Sequence, residues 1–443
     1  MSGIMLNILA AGIGGPSPVG FLAAISNSNG SDLLNSAITL RSDQINLTLQ
    51  SSSALGESQL TVLRLDPSLA SITWQTSLTN PPDSLVVSDV KLDSAGNAIV
   101  VGSANVSPSS IRNPFVAKFN SSGALQWQRR INNNGQFLAA AIDASDNPYC
   151  VGVGQFLATD REDIYVARFD SSGGLTYQRN IGRRDTSSIN ELAFGIAFID
   201  ANFILAARYK GFSVQFQSEF FIGTQSTGET VSAINMRAAN GSSWLFSIAT
   251  VAGETASVNY FLMYAPDTNE QILRRYTVAG GFVYTKSLFA TSLIPNDLCM
   301  DANGTHIYVC GVLSGALQLS KFVASTGALA WQRSLSAPTV TISGATISVD
   351  SLDNIHVNFT ETVTGAPTKS MVLKMPGSGA GSGNSVVIEG KTYTYSTTTF
   401  SSGDSNAFIT DTNSDPNVAG TETLITTTLA SAVPTLVITD EAL

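Results

Sequence analysis

One seventeen-residue pattern recurs along this chain at a period of about fifty residues, and it restricts the possible folds more than any other feature. Residues 115–131 (FVAKFNSSGALQWQRRI) show it most clearly. Phe115, Val116 and Phe119 favour a β-strand, residues 120–123 have turn chemistry, and residues 125–131 alternate apolar with polar side chains. This order of strand, turn and alternating strand predicts an antiparallel hairpin.

The pattern returns at residues 62–78, 165–181, 272–288 and 319–335, with weaker copies at 234–248 and from 371 onward. In each complete copy a basic residue precedes an apolar one, and an aromatic residue follows nine or ten positions later. The basic residues are Arg64, Lys118, Arg168, Arg275 and Lys321, with Lys374 and Arg237 in the weaker copies. The aromatic residues are Trp74, Trp127, Tyr177, Tyr284 and Trp331. This shared register indicates seven copies of one duplicated unit.

A second hairpin precedes each copy, because an aspartate in a tight turn is followed there by an apolar strand. These turn residues are Asp93, Asp143, Asp200, Asp301 and Asp350, with Asp43 in a degenerate first member. Each repeat therefore has four predicted strands.

Repeats of about forty to fifty residues with four short strands are typical of β-propeller blades, since one such sheet cannot bury both faces alone. We therefore predict an all-β fold, a seven-bladed β-propeller of four-stranded blades with extended N- and C-terminal arms. The recurring aromatic residues would pack between blades. The predicted domains are an uncharged N-terminal arm (1–34), the propeller (35–398) and a C-terminal β tail (399–443).

Composition argues against two classes of partner. The formal net charge is −10 with only 23 Lys and Arg, and binding to a phosphate backbone needs clustered basic residues. A polybasic run suited to a membrane surface is also missing from the sequence. Cys150, Cys299 and Cys310 are too few for a disulfide framework, so we expect buried thiols, although the last two could face one another across a hairpin.

The first 31 residues carry no charged side chain, and the first basic residue is Arg41. The segment lacks the basic region of a signal peptide, and glycines and prolines interrupt it before it could span a membrane. We expect it to stay on the mature protein without membrane insertion. An apolar arm needs cover, either from its own propeller or from a neighbouring subunit.

Three later segments leave alternatives open. Residues 210–230 (KGFSVQFQSEFFIGTQSTGET) are either an inserted partner-binding loop or a strand of an irregular fourth blade. Residues 377–383 (GSGAGSG) are expected to form a flexible linker, after which one or two strands could close the ring. A strand from before Asp43 could close it instead. Residues 401–443 are expected to add a strand to another sheet.

No catalytic, cofactor or metal residue is assigned from the sequence. His306 and His356 lie in different repeats and form no cluster at metal-ligand spacing. The pairs Asp143/Asp146 and Asp350/Asp353 are interpreted as turn caps, because a calcium turn would need more carboxylates.

Two stretches carry a resemblance. SSGALQWQR (121–129) and STGALAWQR (325–333), preceded by lines such as DSAGNAIVVG, resemble the repeats of quinoprotein-type and related bacterial propeller proteins. The resemblance implies the fold; the calcium-bound cofactor and the eight blades usual in quinoprotein dehydrogenases have no counterpart here. The opening MSGIMLNILAAGIGGPSP is similar to the uncharged openings of tailed-phage virion proteins.

These observations together predict a non-enzymatic structural or interaction protein of a tailed-phage virion, in its tail, fibre or capsid decoration. Its terminal arms would dock into other virion proteins, its propeller would face a host glycan or protein, and homo-oligomers are expected. The alternative is a bacterial surface or exported propeller serving adhesion or scaffolding. A glycan-active enzyme with paired carboxylates at the central channel is a third possibility.

Overall fold

The structure is a computed structural model, and it describes a defined part of the chain. The described residues are 4–5, 11–13, 20–27, 33–41, 44–52, 58–67, 69, 71–79, 84–106, 111–131, 134–155, 163–183, 191–199, 201–210, 216–227, 230–236, 244–250, 258–265, 270–277, 281–289, 293–301, 303–380, 384–388, 390–398, 401–404, 422–426, 431–432 and 437–440. Within these ranges the regular elements are strands and no helix occurs, which confirms the all-β prediction.

Three strands precede the first complete sheet: β1 (Ile4–Met5), β2 (Ala11–Ile13) and β3 (Gly20–Asn27). The first sheet contains β4 (Leu33–Arg41), β5 (Gln44–Ser52), β6 (Ser58–Leu65) and β7 (Ile72–Thr79). The second contains β8 (Ser84–Leu92), β9 (Ala98–Val106), β10 (Ile111–Phe119) and β11 (Leu125–Ile131). The third contains β12 (Asn134–Ile142), β13 (Pro148–Gln155), β14 (Asp163–Phe169) and β15 (Leu175–Arg183).

The fourth sheet contains β16 (Glu191–Ile199), β17 (Asn202–Lys210), β18 (Phe216–Thr224) and β19 (Thr230–Met236). The fifth contains β20 (Trp244–Thr250), β21 (Val258–Ala265), β22 (Glu270–Thr277) and β23 (Gly281–Phe289). The sixth contains β24 (Ile294–Met300), β25 (His306–Leu313), β26 (Ala316–Val323) and β27 (Leu329–Ser336). The seventh contains β28 (Thr341–Val349), β29 (Asn354–Thr362) and β30 (Lys369–Pro376).

The described strands thus form seven antiparallel sheets, here called blades 1 to 7 in chain order, with strands a to d from inside to outside. The seven inner strands contact one another in sequence, and β28 of blade 7 contacts β4 of blade 1. This closed order of contacts makes the fold a β-propeller. Apolar clusters fill six of the junctions within the described residues, for example Phe115 and Leu60 between blades 1 and 2.

Every inner strand carries an irregularity at the same point of its pairing with strand b, as between Val87 and Asp89 in blade 2. Opposite this bulge lies Gly102, where a Cβ atom would be 1.9 Å from the carbonyl oxygen of Val86. Gly152 in blade 3 is crowded in the same way by the carbonyl of Gln136. A bulge that pushes a carbonyl towards strand b explains why glycine ends the sequences DSAGNAIVVG (93–102) and DASDNPYCVG (143–152).

The N-terminal strand β3 completes blade 7 from the opposite end of the chain. It pairs antiparallel with β30, so residues 20–27 supply strand d of the last blade. In this pairing Phe21 lies opposite Lys374, as Trp127 lies opposite Lys118 in blade 2. The arm boundary expected at residue 34 therefore falls within β4, and the closing strand comes from before Asp43.

Blade 4 differs from the frame expected for it. The predicted hairpin at 234–248 does not form, because Met236 ends strand d of blade 4 and Trp244 begins strand a of blade 5. The true outer hairpin joins β18 and β19, so the supposed insertion at 210–230 contains strand c of this blade. Ile222 and Ser232 hold the register positions that a basic and an aromatic residue hold in the other blades. The repeated sequence pattern is therefore absent from this hairpin.

After blade 7 the chain returns along the outer edges of earlier blades. Strands β31 (Asn384–Ile388) and β32 (Lys391–Thr397) form a hairpin, and β32 pairs with β27 of blade 6 instead of closing blade 7. The remaining strands add edges to blades 5, 3, 2 and 1: β33 (Ser401–Asp404), β34 (Glu422–Thr426), β35 (Ser431–Ala432) and β36 (Val437–Asp440). The outer edge of β3 pairs with β1 and β2.

Candidate functional site: the junctions between blades

The junction between blades 2 and 3 shows how the repeated side chains are used. Lys118 and Trp127 lie opposite one another on strands c and d, so both reach the next blade together. The Nζ of Lys118 and the Nε1 of Trp127 donate to the carbonyl oxygen of Ser171, at 3.3 and 3.2 Å. Arg129 donates from Nε to the carbonyl of Gly173 at 2.7 Å. Three donors therefore converge on one turn of the neighbouring blade.

The junction between blades 6 and 7 repeats this arrangement. Lys321 and Trp331 donate to the carbonyl oxygen of Gly377 at 3.0 and 3.1 Å, and Arg333 donates from Nε to the carbonyl of Gly379 at 2.8 Å. The first part of the predicted glycine linker (377–383) is thus the turn of blade 7 that accepts the hydrogen bonds from blade 6. Its composition predicts flexibility, but the carbonyl groups of Gly377 and Gly379 accept hydrogen bonds from blade 6.

Blade 1 holds blade 2 through a variant of the same contact. Arg64 and Trp74 donate to the carbonyl oxygen of Ser121 at 2.7 and 3.0 Å. Thr76 stands where Arg129 and Arg333 stand in the other blades, and its hydroxyl donates to Gly123 O at 2.6 Å.

Three further junctions end on the equivalent backbone position of the next blade, which is three residues after its basic register position or, in blade 4, after Ile222. The bonds are Tyr149 and Tyr177 to Gln225 O (3.1 and 3.2 Å), Tyr284 to Ala324 O (2.9 Å) and Lys374 to Pro67 O (2.7 Å). All five predicted aromatic residues therefore contact a neighbouring blade through a hydrogen bond. The Lys374 bond joins blade 7 to blade 1.

Glycine in the receiving turn makes room for the aromatic ring. Gly173 has a φ of +85°, and a Cβ on it would lie 2.6 Å from Cδ2 of Trp127. Gly123 is related to Trp74 in the same way, with a φ of +88° and a distance of 2.6 Å to Cε3. The turn thus needs glycine for its backbone conformation and for the close approach of the ring.

The predicted turn aspartates cap the inner hairpins. Asp93 accepts the backbone N–H groups of Ala95 and Asn97 at 3.0 and 2.9 Å, and its second oxygen pairs with Lys118 Nζ at 2.8 Å. Burial alone would raise the pKa of this carboxyl, but hydrogen bonds from Lys118 and Asn97 outweigh it, and the pKa is lowered. Asp143 caps its turn likewise and pairs with Arg168 at 3.3 Å.

In blades 6 and 7 a histidine also contacts the turn aspartate. Asp301 lies 3.1 Å from Nδ1 of His306, and Asp350 lies 3.1 Å from Nε2 of His356, which is buried. The pKa of Asp350 is lowered, because hydrogen bonds from His356 and Asn354 outweigh the opposing effect of burial. The two remaining predicted turn residues, 43 and 200, lie outside the described residues.

The second aspartate of two turns has a role of its own. Asp146 and Asp353 both adopt a φ of +61°, at the position where Gly96 stands in blade 2. The carboxylate of Asp146 accepts the N–H and hydroxyl of Ser94 in the preceding blade, and Asp353 accepts the hydroxyl of Tyr308 at 2.8 Å. These carboxylates link neighbouring blades.

Two further aspartates on the inner strands, missed by the sequence analysis, connect blades around the centre. Asp89 accepts the N–H of Ala140 in blade 3 at 3.0 Å, and Asp297 accepts that of Ile347 in blade 7 at 3.1 Å. Lys91 pairs with Asp89 at 3.0 Å. Burial opposes the charge on Lys91, but Asp89 and Asp297, on opposite sides of the ring, raise its pKa. Their position directly after the bulge is the signal that could have identified these aspartates.

The three cysteines are free thiols. Burial, reinforced by Asp89, raises the pKa of Cys150. Burial also raises the pKa values of Cys299 and Cys310, with Asp297 acting in the same direction. In the strand pairing Cys299 lies opposite Tyr308, and Cys310 lies opposite Asp297. These thiols are therefore protonated at neutral pH and weak nucleophiles.

A cavity of about 660 Å³ opens beside Trp127 at the outer rim of the junction between blades 2 and 3. Exposed Gln126, Ser171 and Ser172 line its mouth, and half-buried Trp127 and Arg129 line its wall. Its lining can offer hydroxyl, amide and guanidinium groups beside an aromatic surface. Such a mixture suits a polar ligand with an aromatic or apolar part.

The described part of the chain has neither a metal-ligand cluster nor a membrane-spanning helix. It contains no group of three or more His, Cys, Asp or Glu side chains arranged to hold a metal ion. Nor does any helix in it combine the length and hydropathy needed to cross a membrane.

Comparisons with known proteins name no family for this chain. No protein-family model and no curated protein sequence matches the chain. Among solved structures it is similar to the β-propeller domain of Cps50 (Swd1) from Myceliophteria thermophila, at 12% identity and a TM-score of 0.48, covering 84% of this chain and 99% of that one. The propeller domain of the Trilobed protease from Pyrococcus furiosus gives 7% identity, a TM-score of 0.47, and coverage of 77% and 93%. The β-propeller assignment itself follows from the closed ring of sheets described above.

Proposed function

We propose that this chain is a non-enzymatic structural and interaction module, and that it serves in a tailed-phage virion as a tail, fibre or capsid-decoration component. The structural role is supported by the hydrogen bonds that the recurring polar side chains make between blades. Lys118, Trp127 and Arg129 and their counterparts end on backbone carbonyl groups of the next blade. The repeated chemistry of the chain thus serves ring assembly.

The inner strands support a role without catalysis. A glycan-active enzyme would use carboxylates at the channel, free to exchange protons with a substrate. Each of Asp89 and Asp297 accepts its own strand's next N–H group and an N–H group from the following blade. We infer that these carboxylates serve to position the inner strands.

The terminal segments favour a role in assembly. We propose a seven-bladed ring whose first residues, in β1 and β2, lie along the outer edge of blade 7 and present a surface to neighbours in the particle. The uncharged opening sequence, similar to those of tailed-phage virion proteins, supports the placement in a virion. Homo-oligomers and contacts with other virion proteins would follow.

The decisive experiment is mass spectrometry of purified tailed particles from the source, with copy number measured against the major capsid protein. We expect the chain in the particles at a fixed copy number. Its absence from particles, together with recovery from the bacterial surface, would replace this proposal with the adhesion or scaffold alternative.

Light scattering tests the assembly part. A chain lacking residues 1–13 keeps β3, whereas a cut at residue 31 would remove strand d of blade 7. We expect the full-length chain to be oligomeric and the 1–13 deletion to be a folded monomer. Equal masses for both proteins would contradict docking through this segment.

A further inference from the structure

Two junctions of the ring are built from nearly the same sequence. In SSGALQWQR (121–129) the strand residues Trp127 and Arg129 contact blade 3, and in STGALAWQR (325–333) Trp331 and Arg333 contact blade 7. Their hydrogen bonds agree closely: Arg129 Nε to Gly173 O is 2.7 Å and Arg333 Nε to Gly379 O is 2.8 Å. In both, a second guanidinium nitrogen donates to the carbonyl of the preceding glutamine, at 2.8 and 2.7 Å. The two junctions therefore share one set of lysine, tryptophan and arginine donors on equivalent turn carbonyls.

At the junction between blades 6 and 7 the outer rim is filled by the chain itself. Strand β32 pairs with β27 and places Tyr395 opposite Leu335. The side chain of Tyr395 is buried, and its hydroxyl donates to the carbonyl of Gly379 at 3.4 Å. Burial raises the pKa of Tyr395, while neighbouring Arg333 acts in the opposite direction. The rim of this junction is thus occupied by a neutral phenol that lies beside an arginine and donates a hydrogen bond to the turn carbonyl.

At the junction between blades 2 and 3, Arg129 is the counterpart of Arg333, and it lines the cavity beside Trp127. The edge strand on blade 2 is β35, in which Ser431 lies opposite Ile131. Ile131 corresponds to Leu335, six residues after Leu125 and Leu329 respectively. A serine therefore holds the register position that a tyrosine holds on blade 6, where the rim is filled.

We propose that the cavity beside Trp127 binds a tyrosyl side chain presented by an extended segment of a partner protein. The phenol hydroxyl donates to the carbonyl of Gly173, and the ring packs beside Arg129. Exposed Gln126, Ser171 and Ser172 bind the flanking backbone of the partner. The inference rests on the proposed interaction function and deepens it by naming one site and the chemistry of its ligand.

The test uses the full-length chain and a synthetic probe, the peptide acetyl-KTYTYST-amide, which reproduces residues 391–397. Its affinity is measured by isothermal titration beside that of KTYTFST, which lacks the hydroxyl of Tyr395. Because one hydrogen bond to a carbonyl is worth about 0.5–1.5 kcal/mol, the phenylalanine peptide should bind about two- to twelvefold more weakly. Equal affinities, or no binding of the tyrosine peptide, would overturn the proposal.

A blocking variant tests the location. Ser172→Trp places a large ring at the mouth of the cavity and should reduce peptide affinity at least tenfold. The matched control is Ser122→Trp, at the equivalent exposed turn position of blade 2, facing a junction that has Thr76 in place of the arginine. Equal losses in both variants, or unchanged affinity in Ser172→Trp, would refute binding at this cavity. If Ser172→Trp does not fold, Gln126→Trp replaces it with the same expected loss.

A third arm separates a protein partner from a free phenol. N-acetyltyrosinamide should bind at least tenfold more weakly than the peptide, because it lacks the flanking backbone. Equal affinity would identify a site for small phenols and refute the protein partner. The peptide assay and the particle assay fail independently, since the first measures one cavity and the second measures the location of the whole chain.

Discussion

Replacing Gly173 with alanine gives a direct measure of how closely the blades are packed. The added methyl group meets two obstacles in the structure. The backbone φ of +85° is unfavourable for alanine, at a cost of about 1–2 kcal/mol. The new Cβ would also lie 2.6 Å from Cδ2 of Trp127, and overpacking of this kind costs about 1–3 kcal/mol. We therefore expect a loss of about 2–5 kcal/mol in unfolding free energy.

The chain contains a matched control for the first of these costs. Gly365 has a φ of +81°, and a Cβ on it would have no neighbour within 4 Å. Gly365→Ala should therefore lose about 1–2 kcal/mol through backbone strain alone. Both substitutions restrict the unfolded chain equally, so that contribution cancels in their difference. The remaining difference of about 1–3 kcal/mol measures the clash with Trp127.

Urea unfolding followed by far-UV circular dichroism is the assay. Thermal midpoints provide a check, since an unfolding entropy of about 2 cal/mol/K per residue implies a shift of roughly 1 °C per kcal/mol at this chain length. In a Trp127→Leu background the extra cost of Gly173→Ala should disappear. Equal losses for Gly173→Ala and Gly365→Ala, or an unchanged penalty in that background, would refute the proposed packing of the ring on the turn.

Three further outcomes follow from the structure. The pKa of Asp350 is lower in the folded chain than its unfolded value near 4, so the ionised carboxylate stabilises the fold above that pH, and this stabilisation is lost as the pH falls below it. Asp350→Asn should therefore lower the free energy of unfolding at pH 7. It should also reduce the decrease in that free energy which urea unfolding measures between about pH 5 and 3. The buried thiols of Cys150 and Cys310 should react with Ellman's reagent at pH 8 only after denaturation, and rapid reaction of more than one thiol per native chain would contradict their burial and raised pKa values. Deleting residues 1–31 should abolish the cooperative thermal transition while deleting 1–13 preserves it, because only the longer deletion removes β3; equal transitions would contradict the closure of blade 7 by this strand.

The sequence was sufficient to predict the outer hairpins wherever the basic and aromatic residues are both present. The pairings of Lys118 with Trp127 and of Lys321 with Trp331 confirm the predicted register. In blade 4, Ile222 and Ser232 replace that pair, and the hairpin predicted at 234–248 lies one strand too late in the chain. A pattern search depends on the side chains that make the junction, so it fails where a blade lacks them.

Closure of the ring could not be derived from local pattern for a different reason. Strand β3 carries Phe21 opposite Lys374, but the two residues are separated by almost the whole chain. Pairing over such a distance leaves no local hairpin signal. The apolar character of the N-terminal arm was therefore visible, while its role as an inner part of a sheet was not. The structure supports the alternative that a strand from before Asp43 closes the ring.

The bonds at the junctions also explain why the repeats keep one register despite little other similarity. Within the described residues, six junctions place a donor from one blade on the carbonyl three residues after the basic register position of the next blade, or after Ile222 in blade 4. A donor at that position fixes the height of each blade relative to its neighbour, and each such hydrogen bond contributes about 0.5–1.5 kcal/mol to stability. A one-residue shift in any strand c would therefore break the contacts on both sides of its blade. Since Lys374 applies the same bond between the last blade and the first, the junctions hold the ring in one closed register.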